Sequence, residues 1–380
     1  MLLDQTKKEC LSSDCSQENC SSISYSSGLD CTSFVHLDSV DDFIFAAGNG
    51  TSRSPYCIET EEQLRTFAGS FSQSVDYKDV YIQLTRDIHL SDQEWMPIGE
   101  GEYAFRGHFD GHDYTISGLR IGSDRVPHVD KIGKEATGYF ALFGVLDTGA
   151  TVSNLNLDVS IHVMAGQTAY VAGLTGYAQE AYIENVHVSG VISGATYHDE
   201  ANIFVGGICA YGFKQDIHYS SSSADLSTEA VGGMAEAGGI IGFHNRGLVN
   251  GCFVSGNINA VCEPILNGRP VLGGIAGTHA GTINDCYSTA LVQCDYYSGY
   301  IGALAGWATG ISVIQESFYC LDSCRKQGQP MPTSPAGMRV ERGKNTYGET
   351  YAGCLITNVY GFDAETICKK AGAYKLKSAM

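Results

Sequence analysis

The chain has 380 residues, of which 43% are hydrophobic and 17% are charged, so it can bury a continuous core and is not disordered throughout. Its formal net charge of −19 repels phosphate groups, which excludes nucleic acid as an expected partner and disfavours an anionic membrane surface. Its 46 glycines do not recur at every third residue, so the chain is not collagen-like.

Residues 1–54 are rich in Ser, Cys and Asp and contain few apolar runs, which predicts a flexible N-terminal tail. Residues 1–20 have neither a basic start nor an apolar stretch, so no secretory signal peptide is visible. The early cysteines follow a C-x4-C-x4-C spacing, whereas structural zinc sites use C-x2-C pairs. We therefore expect free thiols here or, in an oxidising environment, disulfides, and no cofactor in the chain.

Residues 55–137 are predicted to form an N-terminal cap and the first coils of a larger array. Thr60 to Gln63 has the form of a capping box, and Leu64, Phe67 and Ala68 follow at helical spacing, which predicts a short helix. Residues 80–84 then alternate in polarity as a half-buried strand does.

Residues 138–322 contain six copies of one repeat, spaced 32, 34, 32, 35 and 29 residues apart. One column of the repeat holds only Leu or Ile, namely Leu142, Leu174, Ile208, Ile240, Ile275 and Leu304. A second column holds small residues, namely Gly144, Gly176, Ala210, Gly242, Gly277 and Gly306. Two further columns are aliphatic, and one of them is broken in the last copy by Ser323, which predicts that the array ends there.

The repeat predicts strands rather than helices, because each copy carries two or three glycines and each would cost a helix about 1 kcal/mol. Its apolar runs are four to six residues long and end at Gly, Asn, Asp or Ser. We therefore expect an all-β solenoid in which each copy forms one coil and like residues lie above one another, about 4.8 Å apart. The Leu/Ile column then forms an interior ladder, and the small column lies where the backbone bends or approaches another segment closely.

Several ordered motifs over residues 55–322 resemble the GLUG-motif repeat proteins of bacteria. The matching segments are 58–64, 82–88, 95–99, 105–111, 114–119, 154–157 and the Gly-Leu-x-Gly units. The resemblance implies a right-handed parallel β-helix in a surface or secreted protein, and an adhesive or scaffolding role. Similar stretches occur in adhesins and in the non-catalytic regions of IgA-cleaving metallopeptidases. The resemblance supplies no catalytic residues. Asp113 replaces a glycine that the family usually has, and it is expected to keep the turn because Asp tolerates a left-handed backbone.

Residues 296–315 are uncharged and carry Gly at every fourth position from 302 to 310, a pattern also found in membrane helices. Because they are in phase with the repeat, we expect strands and no membrane-spanning segment.

Two groups of histidines are candidate ligand sites. His108, Asp110 and His112 alternate on one strand face and together can bind a transition metal, although a solvent-facing structural turn is the favoured interpretation. His244 and His279 share a column in adjacent coils, where they can contact a metal or a carbohydrate; here too, solvated turn residues are favoured.

Three other features are candidate sites. Cys252 and Cys286 share a column, which predicts a reduced pair packed in the core, with a disulfide as the alternative. Asp199, Glu200 and Asp216 are carboxylates on predicted loops, and nothing in the sequence singles out a catalytic pair. No motif of a known enzyme class is present.

The sequence predicts a non-enzymatic β-helical scaffold or adhesion segment of a surface or secreted protein, with residues 323–380 as an irregular, truncated C-terminal segment. A host or matrix protein, or a glycan, is the expected partner, and the oligomeric state is left open. A polysaccharide-processing β-helix enzyme is the alternative, and it requires a groove lined by carboxylates and aromatic residues across three coils. The third interpretation is the spacer of a larger surface peptidase.

Overall fold

The computed structural model describes residues 44–363, except 74, 130–137, 199–200, 262–268, 295–298, 327, 332, 337, 341–347 and 350–353. These residues form a parallel β-solenoid of about seven turns with one short helix, which confirms the predicted fold class. Most of the tail predicted over residues 1–54 lies outside the described residues. Residues 44–54 pack on the cap, where the Phe45 ring stacks on Tyr56 at 4.2 Å.

The predicted helix spans Glu61–Ser70. Thr60 caps it: its hydroxyl accepts from the Gln63 amide at 3.2 Å, while the Gln63 side chain accepts from the Thr60 amide at 3.3 Å. Leu64 and Phe67 are fully buried against the first coils, as the helical spacing predicted. Single-turn 3-10 helices follow at Phe71–Gln73 and Gly101–Tyr103.

The main sheet contains 27 strands among the described residues. They are Tyr56–Ile58, Tyr81–Leu84, Ile88–His89, His108–Asp110, Thr115–Ile121, His128–Val129, Phe143–Leu146, Thr151–Ala165, Thr175–Gln179, Tyr182–Thr196, Cys209–His218, Ser221–Ser222, Asp225–Glu229, Ile241–Asn250, Phe253–Val254, Asn257–Ala260, Ala276–His279, Thr282–Asn284, Tyr287–Ser288, Leu291–Cys294, Ala305–Ala308, Val313–Gln315, Phe318–Cys320, Cys324–Lys326, Gln329–Pro330, Leu355–Thr357 and Tyr360–Phe362.

A separate sheet, here called the side sheet, contains eight strands within the described ranges. Six are parallel, and the last two pair antiparallel. In order they are Gly138–Phe140, Ala169–Ala172, Ile203–Gly206, Met234–Gly238, Arg269–Gly273, Gly299–Gly302, Met338–Val340 and Gly348–Glu349. In each repeat the chain leaves the side sheet, bends over two or three residues, and enters the main sheet.

The Leu/Ile column lies at this bend and forms the predicted interior ladder. All six members have 0% of their surface exposed. From Leu174 to Ile275, the amide of each member donates to the carbonyl of the next member at 2.8–3.2 Å. The small column is packed equally closely, since a Cβ on Gly277 would lie 2.5 Å from the Gly242 carbonyl oxygen. Both columns therefore lie where the sequence places them.

The structure differs from the predicted array in two places. In the side sheet Tyr139 pairs with Tyr170, one residue earlier than the sequence alignment with Val171 implied. The shift arises because the first copy spans the bend with one residue fewer. The array also continues beyond Ser323: Cys324 pairs with Val292, and Leu355–Thr357 pairs with Val313–Gln315.

Left-handed backbone conformations form another aligned feature, at the corners between strands. Asn154, Asn185, Asp285 and Glu316 have φ between 49° and 53° at equivalent corners. Asp113 has φ 61°, so the predicted tolerance of Asp at this turn is confirmed.

Residues 299–315 form the strands Gly299–Gly302, Ala305–Ala308 and Val313–Gln315, as the repeat phase predicted. Across the described part of the chain, the helices are too short or too polar to cross a bilayer.

Two neighbouring side chains on one strand are expected to contribute very differently to the free energy of unfolding. Ile192 is fully buried and Val191 is 40% exposed. Ile192→Ala should lower the free energy of unfolding by about 2–5 kcal/mol, because it leaves a cavity in a stacked core column. Val191→Ala, on the opposite face, should change it by about 0.5 kcal/mol or less. Chemical denaturation measures both, and equal effects would contradict the inward orientation of this column.

Candidate functional site

The candidate metal residues near the cap do not converge into a ligand set. His108 Nδ1 lies 2.9 Å from the Thr151 hydroxyl, and its ring stacks on Tyr81. Asp110 instead accepts from the His112 amide at 2.8 Å and from the Asn154 side chain at 3.0 Å. Among the residues described here, no three His, Cys, Asp or Glu side chains are grouped to hold a metal ion.

His244 and His279 are not solvated turn residues, so that prediction is wrong. Both point into the solenoid and have 0% exposure. Their Nδ1 atoms are 3.0 Å apart, and His279 Nε2 lies 3.1 Å from the Val313 carbonyl oxygen. The error arises because a column position fixes which residues align, whereas the side-chain face depends on the local strand.

These contacts fix the protons of a neutral pair. His279 Nε2 must carry a hydrogen to donate to Val313, so His279 Nδ1 is bare and accepts from His244 Nδ1. With that tautomer His244 Nε2 accepts no hydrogen bond among the described residues, and the backbone of Arg246 and Gly247 lies beside the His244 ring. Burial lowers the pKa of His279 to about 4 and lowers the pKa of His244 well below its usual value.

Cys252 and Cys286 lie in one buried column, as predicted. Each thiol donates to the carbonyl two residues before it, and Cys286 Sγ accepts from the Cys252 amide at 3.4 Å. Ser317 continues the column and accepts from the Cys286 amide at 3.1 Å. The two cysteines therefore act as hydrogen-bonding corner residues, as serine does in the adjacent coil.

The remaining candidate carboxylates are only partly described. Asp199 and Glu200 lie outside the described residues. Asp216 is half-buried, and its carboxylate accepts from the Leu248 amide at 3.0 Å, which holds the next coil in register.

Two rows of mainly aromatic side chains line one corner of the solenoid, here called the corner groove, which was not predicted from the sequence. It lies outside the bend between the side sheet and the main sheet, where outward side chains of both sheets face each other. The side-sheet row is Tyr139, Tyr170, Phe204, Glu236, Val271 and Tyr300. The main-sheet row is Val145, Tyr177, Tyr211, Phe243, Thr278 and Trp307.

Aromatic rings fill the first part of the corner groove in a regular pattern. Within the rows they stack at 4.9–5.4 Å with interplanar angles of 9–14°. Between rows they meet edge to face, as Tyr170 does with Tyr211 at 5.8 Å and 87°. Ala141, Ala172 and Ala210 lie beneath the rings as a small apolar cluster. The main-sheet row could have been found in the sequence, because each of its residues comes one position after a member of the small column.

Glu236 interrupts the aromatic row. It is 1% exposed, and its carboxyl group hydrogen-bonds to Thr278 across the groove. Its Oε2 atom has no hydrogen-bond partner within the part of the chain that is described. Burial raises the pKa of Glu236 to about 8, so the side chain is largely uncharged at neutral pH.

Comparisons with known proteins support the fold and give partial matches. A Bacteroides ovatus structure, provisionally described as an immunoglobulin A1 protease, is 20% identical with a TM-score of 0.57, covering 87% of this chain and 91% of that chain. A protein of Evansella cellulosilytica, provisionally named a Gly-rich membrane protein, is 32% identical over 149 residues. Halomucin of Haloquadratum walsbyi is 30% identical over 159 residues.

The structural likeness shows the fold alone. The two sequence matches each cover 39% of this chain, but only 16% of the Evansella protein and 2% of halomucin. The chain therefore matches a small part of each of these much longer relatives. No protein-family profile matches it.

Glu236 should make stability fall as pH rises. Its folded-state pKa of about 8 exceeds the usual 4.5, so the folded chain binds more protons than the unfolded chain between these values. The full contribution is present below pH 4.5, and about 4 kcal/mol should be lost by pH 8. Glu236→Gln should remove this slope in urea titrations at several pH values, whereas Glu184→Gln, at a half-buried outward position, should keep it.

The histidine pair should act in the opposite direction. Because the folded-state pKa of His279 is lowered to about 4, the unfolded chain binds more protons between pH 4 and 6.5. This contribution is complete above pH 6.5, and roughly 3 kcal/mol should be lost by pH 4. His279→Gln should flatten the acid limb of the stability curve. An unchanged limb, or equal flattening by His218→Gln at a half-buried outward position, would contradict the assignment.

Proposed function

We propose that the chain is a β-solenoid segment of a cell-surface or secreted protein, acting as a scaffold with an adhesive face and not as an enzyme. The observation that carries this proposal is the unbroken parallel register of the repeat. It turns side chains of successive coils into continuous rows on the outer surface. Such rows offer an extended contact area without a catalytic cleft.

The similar proteins support a surface location. One relative carries the name of a membrane protein, and a structural neighbour carries the name of an immunoglobulin A1 protease. Because this chain matches only a small part of its sequence relatives, we propose that it serves as one segment of a longer architecture. The same names support the spacer interpretation, in which the segment carries a peptidase domain.

The strongly shifted titratable groups support a structural role. Glu236, His244 and His279 are at most 1% exposed, and their pKa values are shifted by burial. A general acid or base must reach its substrate within hydrogen-bond distance. We infer that these groups specify packing between coils.

A polysaccharide-processing enzyme remains the second candidate, and one observation favours it. The corner groove brings aromatic rings from several coils beside the carboxyl group of Glu236. A raised carboxyl pKa is a property of general acids in glycosidases. For this candidate, the groove would have to open around Glu236.

The two candidates differ in one measurement. The purified chain should bind immobilised polysaccharides or matrix proteins without releasing new reducing ends, because the proposed function involves contact alone. Reducing-end assays over several hours measure release, and surface plasmon resonance measures binding. Release that Glu236→Gln abolishes, but Glu184→Gln does not, would replace the scaffold proposal with the enzyme.

A further inference from the structure

We propose that the corner groove binds a neutral, hydroxyl-rich polysaccharide chain that lies parallel to the stack of coils. This inference deepens the adhesive role proposed above and rests on it. It assigns that role to one surface and one class of ligand.

The groove presents ring edges and hydroxyl groups to a ligand. The ring faces of Tyr139 and Tyr170 stack against each other at 5.3 Å, and those of Tyr177 and Tyr211 stack at 5.4 Å. The tyrosines of one row also meet those of the other edge to face. Since neighbouring rings cover much of the ring faces, the half-buried tyrosines present mainly their edges and hydroxyl groups outward.

Most of these tyrosine hydroxyl groups are available for hydrogen bonds with a ligand. Within the described ranges, the hydroxyls of Tyr139 and Tyr170 form no hydrogen bond, while Tyr211 accepts from the Asn245 side chain at 3.1 Å. Tyr177 makes only a long contact of 3.5 Å with Gln179. Burial raises the pKa values of Tyr139, Tyr170 and Tyr177, so these phenols stay neutral donors.

This pattern matches a hydroxyl-rich ligand. Over three successive coils, about 4.8 Å apart along the stack, the groove offers the uncharged hydroxyl groups of Tyr139, Tyr170, Tyr177 and Tyr211. An extended polysaccharide repeats its hydroxyls at a similar interval, one sugar per step. At the far end, Trp307 is 37% exposed and meets Tyr300 at 4.4 Å, which provides an aromatic surface for the apolar face of a sugar ring.

The charge of the protein further restricts the class of ligand. A formal net charge of −19 disfavours acidic polysaccharides through long-range repulsion. Proline-rich peptides also bind aromatic grooves, but they need ring faces on which proline can pack, and here those faces are largely covered. A neutral polysaccharide is therefore the ligand class that fits both the charge and the exposed atoms.

The test removes the hydroxyls and keeps the rings. A triple variant, Tyr139→Phe with Tyr170→Phe and Tyr177→Phe, preserves the stacking. A control variant, Tyr182→Phe with Tyr219→Phe, changes two exposed tyrosines that lie outside the groove rows. Circular dichroism and urea unfolding check that both variants keep the fold. The probes are glucomannan, xyloglucan and mixed-linkage β-glucan as neutral chains, polygalacturonate and hyaluronate as acidic chains, and a decaproline peptide.

Affinity electrophoresis should show that at least one neutral polysaccharide retards the wild-type chain and that the acidic ones do not. The triple variant should bind at least about tenfold more weakly, because it loses several hydrogen bonds, and the control should bind like the wild type. No retardation by any neutral probe, equal binding by the triple variant, or a preference for acidic chains or decaproline would overturn the proposal.

The same experiments also distinguish a failure of the groove assignment from a failure of the proposed adhesive, non-enzymatic role. Weakened binding by the control variant alone would place the ligand on another face, so the groove assignment fails while the adhesive role stands. Cleavage of a probe by a chain whose binding still depends on the groove tyrosines would overturn the non-enzymatic role and keep the groove assignment.

Discussion

Parallel backbone hydrogen bonds between successive coils hold the whole solenoid in register. Because the amide of Leu174 donates to the carbonyl of Ile208, and that of Ile208 to Ile240, each coil sets the register of the next. Because the coils are in register, the side chains of one column share the same surroundings, and they point either into the core or to the outer surface. A residue then stabilises the solenoid according to how it stacks on its counterparts, which explains the long runs of Leu and Ile at the bend.

The same constraint forces the interior to accommodate polar groups. Corners between strands expose amides to the core: the Cys286 side chain accepts from the Cys252 amide, and the Ser317 side chain accepts from the Cys286 amide. The His244–His279 pair achieves this less completely, because a neutral pair leaves one ring nitrogen without a partner. Gln215 is similar: it is fully buried, and neither atom of its amide is paired within the described part of the chain. Buried polar atoms without a partner in these columns therefore cost stability.

On the outside, register converts single exposed side chains into surfaces. No tyrosine of the corner groove is unusual alone, yet Tyr139 stacks on Tyr170 at 5.3 Å and Tyr177 stacks on Tyr211 at 5.4 Å, so that together they line one corner. The rings also bridge the two sheets on either side of the bend, so the groove both stabilises the bend and presents hydroxyl groups. Glu236 occupies one position of this surface, where its bond to Thr278 joins the two rows. The side chains of the corner groove therefore join the two sheets and also form the proposed contact surface.

We could predict the strand class, the coil interval, the capped helix at Glu61–Ser70 and the inward Leu/Ile column from the sequence, because each depends on local pattern or on repetition. The folded coils were needed to show that His244 and His279 face inward, that Tyr139 pairs with Tyr170, and that two rows of rings meet across the bend. Repetition aligns residues between coils, whereas the bend within a coil decides which columns face each other. The angle of this bend arises from packing between the main sheet and the side sheet, and no residue spacing in the sequence indicates it.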